Sequence, residues 1–235
     1  MTARASELER WLDGFLRDPS FLEAYPYYAA ILAKLVPVAD PSISRMAVSL
    51  HDGRFFLHVN VDAFLAEPQF LRGVLLHEVH HVVLGHLTHP KFAEAEEPDL
   101  MDLAIEISAN EHIEEALPPA VTWRAYSSIG VRPGQSTLER YEILARHRRV
   151  AGALPRPAAG EKGTGAIDDH RWLARGEVSP GGVTQTALLL AGAVDEARAE
   201  RARRRAPPEP ATTRARTSRK GAARRVSASA ASAPP

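Results

Sequence analysis

Along residues 45–60 apolar and polar side chains alternate, whereas in the segments on either side the apolar positions recur every three or four residues. A period of two belongs to a strand with one buried face, and a period near 3.6 to a helix with one buried stripe. Asp52-Gly53 lies in the middle of the alternating stretch and is a turn pair that two-residue hairpins favour, since it accepts positive φ. Closing the hairpin there sets Met46 against Val59, Val48 against Leu57, Leu50 against Phe55 and His51 against Arg54, so that one face is wholly apolar. The other face carries Ser49, His51, Arg54, Phe56 and His58, and its two histidines are expected to look into solvent.

The helical stretches follow from their own punctuation. Ser6-Glu7-Leu8-Glu9 has the form of a capping box ahead of Trp11, Leu12, Phe15 and Leu16. Asp18-Pro19 caps a second helix that buries Phe21, Leu22, Tyr25, Tyr28, Ala29 and Leu32 and is bent or broken at Pro26. A helical turn over residues 62–66 is followed by a long helix opened by Pro68, running to about residue 88 and stopped by Pro90. Between residues 99 and 117 the inward positions are Leu103, Ala104, Ile107, Ile113 and Leu117. A proline-rich loop leads to a short helix boxed by Ser136 and Glu139, and a last helix from about residue 183 buries Leu188, Leu189, Ala193 and Val194.

Composition narrows the chemistry. The 235 residues include no cysteine, so disulfides and thiolate metal sites are excluded and any metal must be held by nitrogen and oxygen. Neither a signal-peptide core nor an apolar run of membrane-spanning length is found, which points to the cytoplasm and to no membrane partner. The net charge of zero hides an asymmetry: residues 201–235 hold ten Arg or Lys against Glu209 alone, a charge of +9 that the body balances with −9. With Ala, Pro, Ser and Thr making up most of the rest, this segment is read as a disordered basic tail. It is either a solvated extension or a contact for nucleic acid or an acidic partner. Residues 1–200 form the predicted domain, with a core over about residues 20–150 and a Gly/Ala/Pro-rich flexible linker at 150–167.

The candidate chemistry lies in Leu75-Leu76-His77-Glu78-Val79-His80-His81. On a helix turning about 100° per residue, His77 and His81 share one face a single turn apart, close enough for two imidazoles to share one cation, and Glu78 stands beside them as a base for a water. His86 is about half a revolution from His77 on a straight helix and His89 is too far along it, so neither is expected to join the pair; His80 reads as a supporting or surface residue. Gly85 would let another segment approach closely. A third ligand is sought on the next helix, where Glu106 and Asn110 fall in or beside the apolar face, with Asp102 one turn earlier as the alternative. Two histidines followed by a glutamate on a later helix is an order found in zinc peptidases. The three-histidine metzincin pattern would need glycine at 84 and histidine at 87, where this chain has leucine at both. Asp168-Asp169-His170-Arg171-Trp172 either starts a helix with Asp as its cap or brings His170 over the metal to stabilise an oxyanion.

These pieces together resemble a bacterial metallopeptidase-domain family, zincin-like and often fused to a von Willebrand factor A-like domain. The similarity runs over roughly residues 25–175 and is carried by Val59-Asn60, the His77–His81 motif with Leu84-Gly85-His86, Leu103-Ala104-Ile105-Glu106-Ile107-Ser108-Ala109-Asn110, the stretch 135–144 and Asp168–Trp172. Where the family usually opens the second helix with Trp-Asn and uses Asp as its acidic residue, this chain has Met101-Asp102 and Glu106; no von Willebrand-like domain follows. The resemblance implies a zincin-like α+β fold, mostly helical, with a small antiparallel sheet, the hairpin 45–60, packed on the His-Glu-x-x-His helix. It also implies Zn2+ held by His77, His81 and an acidic residue, with Glu78 as the base. The expected function is therefore a zinc-dependent metallohydrolase acting on a peptide or protein. The alternative is a catalytically idle metal-binding domain that binds a partner, such as an ATPase, or a nucleic acid through the basic tail.

Overall fold

A computed structural model describes residues 3–155, 167 and 180–205. The described residues up to Arg204 form one compact unit, and Arg205 falls outside it. The chain is mostly helical with one small mixed sheet, in the order α1 (Ala3–Leu16), α2 (Pro19–Ala24), α3 (Pro26–Leu32), β1 (Val36–Ala39), β2 (Met46–His51), β3 (Arg54–Val59), α4 (Val61–Ala66), α5 (Leu71–Val83), α6 (Pro90–Ala93), α7 (Pro98–Asn110), α8 (Thr137–Ala151) and α9 (Pro180–Arg205). No helix among the described residues is long and apolar enough to cross a membrane.

The hairpin β2–β3 has the register expected from its alternation, Met46 opposite Val59 through to His51 opposite Arg54. Asp52 and Gly53 both take positive φ, 49° and 70°, the pairing of a type I′ turn whose twist matches that of the strands. The sheet is not purely antiparallel, however. Strand β1 adds to β3 in parallel, Val36 opposite Phe56 and Ala39 opposite Val59, giving the order β1-β3-β2. Its four residues include Pro37, too short and too irregular to show a period.

The apolar face of the sheet packs with α1, α3 and α5 into the main core, which includes Phe21, Ile31, Met46, Leu50, Leu57, Val59, Leu75, Val79 and Val82. Trp11 meets Phe64 edge-on at 4.4 Å between centroids, joining α1 to α4. Helix α1 begins at Ala3, so Ser6 lies within it and does not cap it. Asp18 does cap α2, its side chain accepting from Ser20 N at 2.9 Å, and Pro26 starts a separate helix α3. A 3-10 turn over Pro68–Phe70 precedes α5, and Gly73 in that helix is pressed against the backbone of Ala116.

A second cluster, around Leu100, Ala104, Ile107, Val121 and Leu144, joins α7 to α8. Helix α8 opens with the expected capping box of Ser136 and Glu139 and runs for 15 residues. The fully buried Arg140 ties these helices by donating to Ser108 Oγ at 2.8 Å, to Arg132 O at 3.3 Å and to the Glu111 carboxylate. A buried guanidinium of this kind is tolerated because several acceptors surround it. Helix α7 ends at Asn110, seven residues before the end expected from its apolar positions, and α9 continues to Arg205, past the expected start of the tail at 201. In the linker region, 156–166 lies outside the described residues, as does 206–235.

Candidate metal centre

Helix α5 is apolar on nearly every side, and Val74, Leu75, Leu76, Val79 and Val82 are all at most 2% exposed. That burial carries the polar residues of the motif inside with it: His77, Glu78 and His81 have 0% exposure. Placing three such groups out of water is costly unless each is matched by a partner or a charge. The main partner of His77 comes from α7. Asn110 donates through Nδ2 to Val121 O at 3.0 Å and to Glu106 Oε1 at 3.1 Å, so its Oδ1 is the atom that faces His77 Nδ1 at 2.9 Å. A carbonyl oxygen only accepts; His77 must therefore donate from Nδ1, and as a neutral ring it then keeps a lone pair on Nε2.

That lone pair points at the other candidate ligands. His81 Nε2 stands 2.9 Å from His77 Nε2, and Glu106 Oε2 stands 3.7 Å from it. Glu106 is 3% exposed, and its Oε1 also accepts from the backbone N–H of Ile167 at 2.9 Å. The structure thus brings His77, His81, Glu106 and Asn110 together, while Asp102 is exposed on α7. His170 lies outside the described residues.

The donor set fits a cation that takes nitrogen and oxygen ligands, because electron pairs from two imidazoles and a carboxylate converge in a buried space. Among the described residues no group of three or more His, Cys, Asp or Glu is already spread into metal-holding geometry. Two nitrogens on one tetrahedral zinc stand about 3.3 Å apart, so the Nε2 atoms of His77 and His81, at 2.9 Å, would part by about 0.4 Å.

His86 departs from expectation. Helix α5 does not run on to residue 88 but ends at Val83, with Leu84 as its C-cap. Gly85 takes φ 69°, Gly85 N bonds to Val82 O at 3.1 Å and His86 N to His81 O at 2.9 Å, the paired bonds of a Schellman ending. The chain reverses at that glycine, and His86 Nδ1 comes back to within 3.0 Å of His81 Nδ1. Its Nε2 lies 2.9 Å from Thr137 Oγ1 at the start of α8. His86 reaches His81 because the helix does not run straight past Val83, and a glycine just after the last periodic residue is the sequence signal for such an ending.

His80 and His58 have structural roles. His80 is buried, donating from Nδ1 to Ala109 O at 2.6 Å and accepting on Nε2 from Tyr28 OH at 2.8 Å, so it bridges α3, α5 and α7. Burial pushes its pKa down, opposed by the bond to Ala109. His51 is exposed as expected, but His58 is 8% exposed, with Nε2 2.8 Å from Ser49 Oγ and Nδ1 3.5 Å from Asp40 Oδ2. The outer face of the hairpin is therefore covered at Ser49 and His58, while His51 and Arg54 stay exposed, and burial lowers the His58 pKa against the pull of Asp40. Ser49 is 0% exposed, and its contact with His58, which faces Asp40, makes a buried polar tie between β2 and β3.

Comparison of the chain with protein-family profiles, with curated proteins and with solved structures finds no match.

Proposed function

We propose that the chain is a zinc-dependent metallohydrolase with a zincin-like fold, a peptidase by its resemblance, in which His77, His81 and Glu106 hold the ion. The observation that carries the reading is the convergence of His77 Nε2, His81 Nε2 and Glu106 Oε2 in a buried space, with the His77 tautomer fixed by Asn110 so that its lone pair faces inward. When bound, zinc supplies Lewis acidity that brings the ionisation of a water to about pH 7 and polarises a carbonyl. Glu78 accepts the proton of the attacking water and passes it to the leaving amine, for which its place next to His77 on α5 suits it. Asn110 holds His77 and Glu106 in one arrangement, and the apolar shell of α5 keeps bulk water away.

The full burial of Glu78 and of both histidines favours a second reading, a metal held for structure or partner binding without turnover. One experiment separates the two. The purified full chain, with and without chelator, is offered a broad peptide library, and zinc content is measured for wild type and for Glu78→Gln. Metal-dependent cleavage that Glu78→Gln loses while keeping its zinc supports the hydrolase. Zinc retained by both proteins with no cleavage by either supports the idle centre, and an active Glu78→Gln refutes the base assignment.

A further inference from the structure

His86 and Thr137 sit behind His81, on the side away from His77, and nothing in the hydrolase reading requires them. Their hydrogen bonds nevertheless have a direction that can be worked out atom by atom. With its ring neutral, His77 presents a lone pair on Nε2, because Asn110 holds the one proton on Nδ1. For the 2.9 Å contact between the two Nε2 atoms to be a hydrogen bond, His81 must therefore donate from Nε2. Its Nδ1 is then an acceptor, so His86 donates from its own Nδ1 across 3.0 Å. His86 Nε2 is left to accept from the Thr137 hydroxyl at 2.9 Å. The row runs inward, from Thr137 to His86 to His81 to His77.

A cation between His77 and His81 requires the opposite of His81. Its Nε2 must offer a lone pair, so its proton sits on Nδ1 and is donated to His86 Nδ1. His86 then carries its proton on Nε2 and donates to Thr137 Oγ1. Both rows place the same number of protons on the three rings, and only their positions differ. The reversal can end at Thr137 because a hydroxyl both donates and accepts. An aspartate there would only accept, and a lysine would only donate.

We infer that His86 and Thr137 form a reversible tautomer relay that positions His81: the row Thr137–His86–His81 points inward in the metal-free protein and outward in the loaded one. The inference rests on the reading of His77 and His81 as metal ligands, and assigns to Thr137 the role of a positioning residue acting through His86.

The test is nitrogen-15 NMR of the imidazoles in the full-length chain, before and after zinc is added. The expected result is a His86 proton on Nδ1 without zinc and on Nε2 with it, and the same exchange in reverse at His81. Zinc affinity, read by competition with a chromophoric chelator, is expected to fall about 10-fold or more in Thr137→Val, as for loss of an outer partner of a ligand histidine, and to return in Thr137→Ser. The melting temperature of the metal-free variants separates this from a folding defect, and the tautomer measurement on wild type needs no variant. His86 in one tautomer in both states, or Thr137→Val binding zinc as wild type does, overturns the relay while leaving the metal centre standing. A wild-type chain that takes up no stoichiometric zinc overturns the metal reading itself, and the relay with it.

Discussion

Replacing Gly73 by alanine sets two effects of known size against each other. Glycine inside a helix costs about 0.5–1 kcal/mol relative to alanine, so on helix propensity alone Gly73→Ala stabilises. Packing opposes it. A Cβ on Gly73 would lie 2.2 Å from Ala116 O and 2.9 Å from Leu117 Cδ2, whereas neighbouring atoms rest at about 3.5–4.0 Å. The nearer atom is a backbone carbonyl, which cannot swing aside as a side chain would. Overpacking costs about 1–3 kcal/mol, occasionally more, and with a backbone atom 2.2 Å away the upper part of that range, about 2–3 kcal/mol, applies, so against a propensity gain of up to about 1 kcal/mol a net loss of about 1–2 kcal/mol is expected. In a domain of this size that lowers Tm by about 2–8 °C. Gly14 in α1 supplies the control, because a Cβ there meets nothing within 4 Å and Gly14→Ala should stabilise by about 0.5–1 kcal/mol. Urea unfolding of the two variants beside wild type decides the matter. If Gly73→Ala proves as stable as wild type, α5 does not press on the segment after α7 as described.

Zinc titration of three α7 variants maps the ligand set. Glu106→Ala should weaken binding by more than the ~10–100-fold expected for loss of an outer partner, Asn110→Ala should fall within that range, and Asp102→Ala should stay near wild type; a large Asp102 effect would reverse the assignment. The His58 prediction concerns acid. Because burial lowers its folded pKa below the unfolded value near 6.5, the stability of the neutral ring is fully present above about pH 6.5 and is lost as pH falls through the folded pKa. Urea midpoints at pH 7.5 and 5.5 should therefore drop more in wild type than in His58→Gln, and equal drops would show that His58 charges freely in the folded state.

Local patterns were legible in the sequence, and non-local ones were not. The hairpin register could be read because one buried face and a turn pair at Asp52-Gly53 leave a single pairing. That His77 and His81 share one helix face follows from their spacing, and Glu106 stands out as a carboxylate on an apolar face. Strand β1 escaped notice, since its partner β3 is some twenty residues on and nothing local in Val36-Pro37-Val38-Ala39 reports it. The burial of His58 is not written in the alternation, which marks the less apolar face but not what covers it. Gly73 and Ala116 belong to one contact only after folding. The reach of His86 was hidden by treating α5 as straight, although Gly85 was in plain view.

The reversal at Gly85 also makes the distance from His81 to His86 a matter of counting. Four residues lie between them, and the fold-back works because the glycine falls on the first residue after the helix cap. Inserting or deleting one residue between them would leave the helix able to end, yet each step around it turns the departing chain by about 100° and would carry the third ring away from the second. Chain length in this segment is thus under tighter constraint than residue identity. Val82, Val83 and Leu84 can be exchanged among apolar residues, but their number cannot change.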